Sequence, residues 1–326
     1  MMKVALIGIG SVGRGVGHVL KDDPRFKLVA AADSKSGAVS YGGLNIEKLL
    51  TYKKAGKPLS DEGWTAEKIA KEVDYDVLIE VTPTNAVTGE PAATTIRTAL
   101  SRGKHVVTSN KGPVSLYYHE LAELAEKNNA GFKFEGTVAG AVPILNGIRH
   151  GLAGNKITAL YGILNGTCNY ILTRMEDERL TYAQALSEAR DLGYAEADPT
   201  YDVNGTDAAI KLVILANTMF GMNCKLSDVK RVGIDSLTPD ALMMAAATGK
   251  SIRLIATLEP AKNFLEVAPG LLPTEDPLVV ESTLNAVTVE TEYAGPITFI
   301  GRGAGSVETA SAILADLISI YEKYGE

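Results

Sequence analysis

The sequence predicts an α/β protein in which a doubly wound parallel sheet precedes a second domain of α+β type. Three observations lead to this prediction. Up to about residue 134, short runs of Val, Ile, Leu and Ala alternate with segments of helix length, as in parallel sheets covered on both faces. From about Glu135 the alternation stops, and helical segments mix with strand-like runs. The length of 326 residues is typical of a protein with about two domains.

The first domain is predicted to follow a βαβα order. Its strands are expected at residues 4–7, 28–32, 77–81, 105–108 and 132–134. Its helices are expected at residues 12–21, 65–73, 90–102 and 115–128. A segment rich in Gly and Lys, residues 36–63, interrupts this order after the second strand and is expected near one edge of the sheet.

The second part of the chain is predicted to be α+β. Its helices are expected at residues 181–192, 205–220 and 239–248, and its strands at 157–164, 252–258, 265–268 and 286–290. A glycine-rich stretch at 301–305 then precedes a helix expected at 307–324.

Composition excludes several classes of protein. Hydrophobic residues make up 46% and charged residues 22%, which are ordinary values for a globular chain. The formal net charge of −7 provides no positive field for nucleic acid. The two cysteines lack CxxC spacing, and the sequence shows no secretory leader, so we expect a cytoplasmic protein. We expect no membrane partner because no apolar segment is long enough to span a bilayer, and the net charge argues against a nucleic-acid partner.

A glycine motif follows the first predicted strand and opens the first helix. The segment Gly8-Ile9-Gly10-Ser11-Val12-Gly13 has the spacing of a dinucleotide-binding turn. In such a turn the glycines permit a tight bend, close approach of the pyrophosphate and close packing of helix on strand. The alternative is an ordinary tight βα turn. The strand-turn-helix context favours a Rossmann-type domain that binds NAD or NADP.

Asp33 ends the second predicted strand, where a carboxylate can accept hydrogen bonds from the adenosine ribose hydroxyls and repel a 2′-phosphate. This position favours NAD. Lys35, Lys53, Lys54 and Lys57 follow in the sequence and could bind a 2′-phosphate, so the choice of cofactor stays open. The alternative for Asp33 is a polar strand end without a ligand.

Polar segments follow two further predicted strands. Thr82-Pro83 comes after the strand at 77–81, and Ser109 and Lys111 come after the strand at 105–108. Ligands bind at the carboxyl ends of strands in open α/β sheets, so these residues are cofactor-site candidates. The alternative for Lys111 is a solvated loop lysine.

The stretch 193–211 carries several acids and a lysine in a loop and the first turns of a predicted helix. Asp207 and Lys211 are four residues apart, and the alternative to a functional role is a surface ion pair worth about 0.2–0.5 kcal/mol. Cys168 is interpreted as a small residue before a helix, and a nucleophilic role would require an activating base or a positive field.

Taken together, five segments resemble homoserine dehydrogenases in the same order along the chain: 8–13, 107–113, 135–143, 162–172 and 193–211. The resemblance implies reversible reduction of L-aspartate 4-semialdehyde to L-homoserine with NADPH or NADH, in the biosynthesis of threonine, methionine and isoleucine. It implies a nucleotide domain of residues 1–134 plus 301–326, a substrate and dimerisation domain of residues 135–300, and a homodimer.

The resemblance also implies roles for particular residues. Lys211 matches the proton donor, and Lys111 matches a second active-site lysine near cofactor and substrate. Glu196 and Asp207 match residues that bind the substrate ammonium. Further substrate contacts are implied for Thr167, Gly193, Tyr194 and Asp202. Gly303 and Gly305 match a C-terminal glycine turn, and the resemblance implies that they also bind the cofactor. A monovalent cation site, of sodium type, is implied at the backbone carbonyls of Glu135, Val138, Gly140 and Val142.

The sequence departs from the usual family pattern at Cys168, where threonine is common, and it has the length of the short form without a C-terminal regulatory domain. Two alternatives remain. A phosphorylating aspartate-semialdehyde dehydrogenase would use Cys168 as its nucleophile and would need phosphate. A non-catalytic dinucleotide-binding regulator would bind cofactor without turnover, and it would not need the proton donor Lys211.

Overall fold

The computed structural model describes residues 1–325, and the chain forms two units. The first unit contains Met1–Ala141 together with the C-terminal segment that begins at Ala304, and the second contains Val142–Gly303. The α-helices, numbered along the whole chain, are α1 (Ser11–Leu20), α2 (Ile46–Lys54), α3 (Ala66–Glu72), α4 (Ala92–Ser101), α5 (Lys111–Lys127), α6 (Ile144–Asn146), α7 (Gly166–Glu178), α8 (Tyr182–Asp191), α9 (Thr200–Val203), α10 (Thr206–Phe220), α11 (Pro239–Ala246) and α12 (Ser306–Tyr324).

The first unit contains a six-stranded sheet with the strand order β3-β2-β1-β4-β5-β6. Its strands are β1 (Met2–Ile7), β2 (Phe26–Ala32), β3 (Gly37–Val39), β4 (Val77–Glu80), β5 (His105–Thr108) and β6 (Phe132–Lys133). All neighbouring strands run parallel except β3, which pairs antiparallel with β2. The predicted Rossmann-type α/β class is confirmed, and the inserted segment lies at one edge through β3.

The sheet of the first unit is buried on both faces. Val4 and Leu6 of β1 pack into one hydrophobic cluster, to which α12 contributes Ile313. Ala5 and Ile7, which alternate with them along the strand, pack into a second cluster with α3 and α4. This two-sided burial explains why its strands are continuous apolar runs rather than alternating patterns.

Helix α5 begins earlier than the sequence analysis expected. Its first residue is Lys111, so the prediction of a start at residue 115 and the interpretation of Lys111 as a loop lysine were wrong. Asn110 caps the helix, because its side-chain oxygen accepts a hydrogen bond from the Gly112 N–H at 3.1 Å. Pro113 fits the first turn, where no intrahelical partner is needed for the backbone nitrogen.

The second unit contains a sheet with the strand order β12-β11-β7-β9-β10-β8. Its strands are β7 (Ile157–Ile163), β8 (Lys230–Arg231), β9 (Lys250–Glu259), β10 (Phe264–Pro273), β11 (Leu284–Thr291) and β12 (Gly295–Arg302). Only β8, beside β10, runs parallel to its neighbour. Strand β12 was not predicted, and for the region of α7 the sequence predicted only a helix that begins after Cys168.

The two faces of this second sheet differ in burial. Val287, Val289 and Leu160 lie on one face and are fully buried. The opposite face carries a row of directly paired residues in which Thr288 faces Thr298 on one side and Tyr161 on the other. Ile300 lies on the same face and keeps 51% of its surface exposed. Within residues 1–325, no helix has the length and apolar character required to cross a bilayer.

Candidate active site

The glycine motif of the first unit forms a tight turn between β1 and α1. Gly8 has φ +104°, and a side chain there would lie 2.7 Å from the backbone of Val81. A Cβ on Gly13 would collide with the carbonyl oxygen of Gly8. Gly10 is the N-cap of α1, and no side chain caps this helix in the part of the chain that the structure describes. The turn therefore has the cradle and the helix N-terminus that a pyrophosphate requires.

Asp33 lies at the end of β2 beside a cluster of lysines. Its Oδ1 accepts hydrogen bonds from the backbone N–H groups of Lys35 at 2.9 Å and Ser36 at 3.0 Å, and its Oδ2 pairs with Lys53 Nζ at 3.2 Å. Burial raises the pKa of Asp33, but these donors and the lysine outweigh burial and hold the pKa below its ordinary value. A cavity of about 360 Å³ at this position is also lined by Lys57 and Ser34.

The two polar loops at the carboxyl ends of β4 and β5 are joined by hydrogen bonds. Asn110 Nδ2 donates to the Thr82 carbonyl oxygen at 3.2 Å and to the Pro83 carbonyl oxygen at 3.4 Å. The backbone N–H of Ser109 donates to the Glu80 carbonyl oxygen at 3.3 Å. The predicted cofactor residues Thr82, Pro83 and Ser109 are thus held in one network.

The C-terminal helix lies beside the glycine motif. Ser306 Oγ donates a hydrogen bond to the Ser11 carbonyl oxygen at 2.5 Å, and the preceding residue Gly305 has φ +136°. Gly303 belongs to the second unit, where a Cβ would overlap the side-chain amide of Asn285. Gly305 is therefore next to the dinucleotide turn, as a cofactor-binding role would require.

The predicted cation residues are buried and irregular in backbone. Glu135 lies in a 3₁₀ turn, Glu135–Thr137, and its backbone N–H donates to Asp316 Oδ2 of α12 at 2.8 Å. Val138 is fully buried and Gly140 has φ +53°. Val142 follows as the first residue of the second unit, and its carbonyl accepts the Ile144 N–H at 2.8 Å. Among the described residues, no group of three or more His, Cys, Asp and Glu could hold a metal.

The second unit brings Lys211 together with two acids and an amide. Lys211 Nζ lies 2.8 Å from Asp207 Oδ2 and donates to the Leu164 carbonyl oxygen at 2.6 Å. Asn165 Nδ2 donates to Asp202 Oδ1 at 2.7 Å and to Asp207 Oδ2 at 3.0 Å. The side chains of Lys211 and Asp207 are only 10% and 7% exposed. Their interpretation as a surface ion pair was wrong, because α10 is buried along this turn.

Other predicted substrate residues lie near the start of α7. Thr167 Oγ1 donates to the Tyr194 carbonyl oxygen at 2.8 Å, and the ring centroids of Tyr194 and Tyr170 are 4.9 Å apart. Gly193, the residue before Tyr194, has a left-handed backbone conformation with φ +75°. Glu196 is exposed and forms none of the hydrogen bonds of the Lys211 cluster.

Cys168 is fully buried within α7 rather than before a helix, so that expectation was wrong. Burial raises its pKa well above the ordinary value, and the carboxylates of Asp202 and Asp207 raise it further. Its Sγ lies 3.2 Å from the Asp202 carbonyl oxygen, to which the thiol donates. A buried thiol with a raised pKa is a poor nucleophile, so the geometry disfavours the alternative that required one.

Asn165 was not identified as a site residue from the sequence. Its Oδ1 caps α7 by accepting the Cys168 N–H at 2.8 Å, while its Nδ2 binds the two acids. An Asn before a Gly-Thr helix start could have indicated the cap. The contacts to Asp202 and Asp207 depend on tertiary packing, which no local pattern shows.

A Rossmann-type sheet with a dinucleotide turn, in a chain that also holds a buried lysine beside carboxylates, defines an NAD(P)-dependent oxidoreductase. A family model described as the NAD binding domain of homoserine dehydrogenase matches residues 8–135, and one described as homoserine dehydrogenase matches residues 143–318. The chain belongs to the homoserine dehydrogenase family.

Individual relatives cover nearly the whole chain. The homoserine dehydrogenase of Methanocaldococcus jannaschii is 46% identical over 98% of this chain and 98% of its own. The NAD(+)-dependent homoserine dehydrogenase of Pseudomonas canavaninivorans is 39% identical over 98% of this chain and 96% of its own.

Solved structures agree with these relatives. One assigned to homoserine dehydrogenase from Archaeoglobus fulgidus has a TM-score of 0.91 at 46% identity and covers 98% of this chain and 99% of its own. A hyperthermophilic archaeal homoserine dehydrogenase in complex with NADPH has a TM-score of 0.85 at 28% identity and covers 99% of this chain and 98% of its own.

Proposed function

We propose that Lys211 is the proton donor in the reversible reduction of L-aspartate 4-semialdehyde to L-homoserine. The observation that supports this role is the buried Lys211 ammonium, which points to the Leu164 carbonyl and the Asp207 carboxylate. Bound NAD(P)H supplies the hydride to the aldehyde carbon. Negative charge then grows on the substrate oxygen, where a nearby ammonium stabilises the charge and donates a proton. In homoserine oxidation the same lysine accepts the hydroxyl proton.

The carboxylates of Asp207 and Glu196 are proposed to bind the substrate ammonium. Asp207 is held in place by Asn165, so it presents its charge from a fixed position. Glu196 is exposed, so it can reach a ligand with little rearrangement. Asp202 shares the same amide donor, while Thr167, Gly193 and Tyr194 lie in the adjoining segment and are proposed as further contacts.

The first unit is proposed to hold the cofactor through the turn of residues 8–13, the Thr82-Pro83 segment, Ser109 and the C-terminal Gly305. Nothing lies within 4 Å of the position of a Cβ on Gly10, so a pyrophosphate is proposed to approach the backbone there, while Gly8 and Gly13 keep the turn tight. Lys111, as the first residue of α5, is proposed to contact cofactor and substrate.

The chain is proposed to accept both NADP(H) and NAD(H). Asp33 favours the ribose hydroxyls of NAD, but Lys53 offsets its charge at 3.2 Å. Lys53 and Lys57 line the adjoining cavity together with Lys35, so a 2′-phosphate would meet cationic donors there.

A sodium-type cation is proposed at the carbonyls of Glu135, Val138 and Gly140, with Val142 as a fourth ligand. Sodium requires hard oxygen ligands, and this buried stretch of irregular backbone can supply them. Activity measured in sodium, potassium and choline chloride at equal ionic strength tests this proposal. Equal rates in all three salts would contradict it.

The half-exposed face of the second sheet is proposed as a homodimer interface. Threonines, Tyr161 and the exposed Ile300 give it the mixed apolar and polar surface of a subunit contact. Ile300→Asp is expected to shift the mass measured by light scattering from dimer to monomer. A wild-type protein that is monomeric at micromolar concentration would contradict the proposal.

One assay tests the proposed chemistry. Purified protein is mixed with L-homoserine and either NAD⁺ or NADP⁺, and nicotinamide absorbance is followed. Reduction that requires homoserine and Lys211 supports the assignment. Cofactor binding without turnover would instead support a regulator, and a strict requirement for phosphate in the semialdehyde assay would support the phosphorylating alternative.

A further inference from the structure

Glu80 is the last residue of β4 and is fully buried at the carboxyl end of the sheet. Among residues 1–325, the groups that hydrogen-bond to its carboxylate carry no charge. Its Oε1 accepts a hydrogen bond from the Thr82 N–H at 3.0 Å and another from the Thr82 hydroxyl. The Thr108 hydroxyl lies 3.4 Å from Oε2. A carboxylate without a cationic partner is expensive to bury, so simple packing does not account for an acid at this position.

The hydrogen bonds of Glu80 reach both polar loops. Thr82, which Glu80 binds directly, accepts at its carbonyl a hydrogen bond from Asn110 Nδ2. The Thr108 hydroxyl donates to the Glu80 carbonyl at 2.8 Å and accepts the Asn110 N–H at 3.0 Å. Asn110 in turn caps α5 at Gly112. A continuous chain of hydrogen bonds therefore runs from Glu80 to the first turn of the helix on which Lys111 lies.

We propose that Glu80 is a positioning residue that fixes the Thr82-Pro83 loop and the Ser109–Lys111 segment for cofactor binding and hydride transfer. This inference rests on the proposed function, in which both segments contact the cofactor. Glu80 itself, fully buried at the strand end, acts through Thr82 and Asn110. Removing its side chain leaves the Thr82 N–H and hydroxyl without their acceptor, and the loop loses the link that sets its position.

The expected loss is one of affinity and rate rather than of fold. A displacement of about 1 Å at a site that positions reacting groups can cost about 10²-fold in rate. Glu80→Ala is therefore expected to raise the Kd for NADPH about tenfold and to lower kcat about 10- to 100-fold. Glu80→Gln keeps an acceptor for Thr82, so it is expected to recover both values to within about threefold.

The experiment measures NADPH fluorescence titrations, steady-state rates and circular dichroism for the wild type and both variants. Asp76→Asn is the matched control, because Asp76 precedes the same strand and accepts the Lys3 N–H at 2.7 Å, at the opposite end of β4. It is expected to leave NADPH affinity unchanged. If Glu80→Ala does not fold, Thr108→Val tests the same link, since it removes the hydroxyl that joins Glu80 to Asn110.

Two results would overturn the positioning role. One is an NADPH Kd and kcat in folded Glu80→Ala, or in Thr108→Val, that match the wild type. The other is an equal loss in Glu80→Gln and Glu80→Ala, which would exclude hydrogen-bond acceptance as the cause. A wild-type protein that binds no NADPH would contradict the proposed function as well, so the two failures are distinguishable.

Discussion

Lys211 and Asp207 form an ion pair inside the second unit, with Nζ 2.8 Å from Oδ2 and both side chains at most 10% exposed. The Lys211 ammonium also donates a hydrogen bond to the Leu164 carbonyl oxygen, 2.6 Å from Nζ, and this second contact further fixes its orientation. The Asp207 carboxylate therefore has two roles: it orients the Lys211 ammonium, and it is proposed to bind the substrate ammonium. These roles can be separated by substitution.

Lys211→Ala is expected to lower kcat by about 10²–10⁴-fold, which is the usual contribution of general acid catalysis. The Kd for NADPH is expected to stay unchanged, because the cofactor is proposed to bind to the first unit. Steady-state rates with homoserine give kcat, and fluorescence titrations with NADPH give the Kd. Lys250→Ala, at an exposed position, is the control. Wild-type turnover in Lys211→Ala would rule out the proton-donor role.

Glu196→Gln is expected to raise the KM for homoserine with little change in thermal stability, because Glu196 is exposed. Asp207→Asn is expected to raise the KM and also to destabilise the protein, since breaking a buried ion pair costs about 3–5 kcal/mol. Chemical unfolding and steady-state kinetics measure both effects. Asp191→Asn serves as an exposed control. An unchanged KM for Glu196→Gln would contradict the ammonium contact.

Lys53→Ala and Lys57→Ala are expected to weaken the binding of NADP⁺ more than the binding of NAD⁺. Both lysines line the cavity beside Asp33, and a lysine can bind a 2′-phosphate that NAD⁺ lacks. Lys53→Ala should also remove the partner of Asp33, so the ratio of the two KM values shifts toward NAD⁺. Lys68→Ala, on the exposed side of α3, is the control. Equal losses for both cofactors would exclude a 2′-phosphate site here.

Cys168→Ser is expected to retain turnover within about threefold, because serine keeps a donor for the Asp202 carbonyl in a similar volume. The buried thiol with its raised pKa is not proposed to act in the reaction. The homoserine assay without phosphate checks this. Loss of all turnover in a folded Cys168→Ser protein would restore the thiol nucleophile as a candidate.

Protein stability is expected to depend on pH through Glu80. Burial raises the pKa of Glu80 from its ordinary value of 4.5 to about 7. The folded state therefore binds the proton more tightly than the unfolded state, so the free energy of unfolding falls as pH rises from 4.5 to about 7. Glu80→Gln removes this dependence. Urea unfolding at pH 5, 6 and 7.5 is expected to show the Gln variant gaining stability relative to the wild type with pH, and a constant difference would argue against the shift.

The sequence predicted the first unit well because its strands are buried on both faces and carry an unbroken apolar pattern. It failed at β12, where Pro296 and Gly301 resemble loop residues. β12 is an edge strand, and an edge position tolerates a residue that lacks a backbone donor. It also failed to connect Asn165 with Asp202 and Asp207, because their contacts span 37 and 42 positions.

The hydrogen bond from Ser306 to Ser11 joins residues 295 positions apart. On the ribosome, α1 and the strands of the first sheet are complete long before α12 has been synthesised, and all of the second unit is made in between. Until α12 emerges, the apolar residues of this cluster are covered by α1 and α2 but lack the contacts with Ile313 and Leu317. The nascent nucleotide-binding unit therefore exposes part of one apolar face while the whole second unit is synthesised, and α12 is needed to bury it and protect it from aggregation.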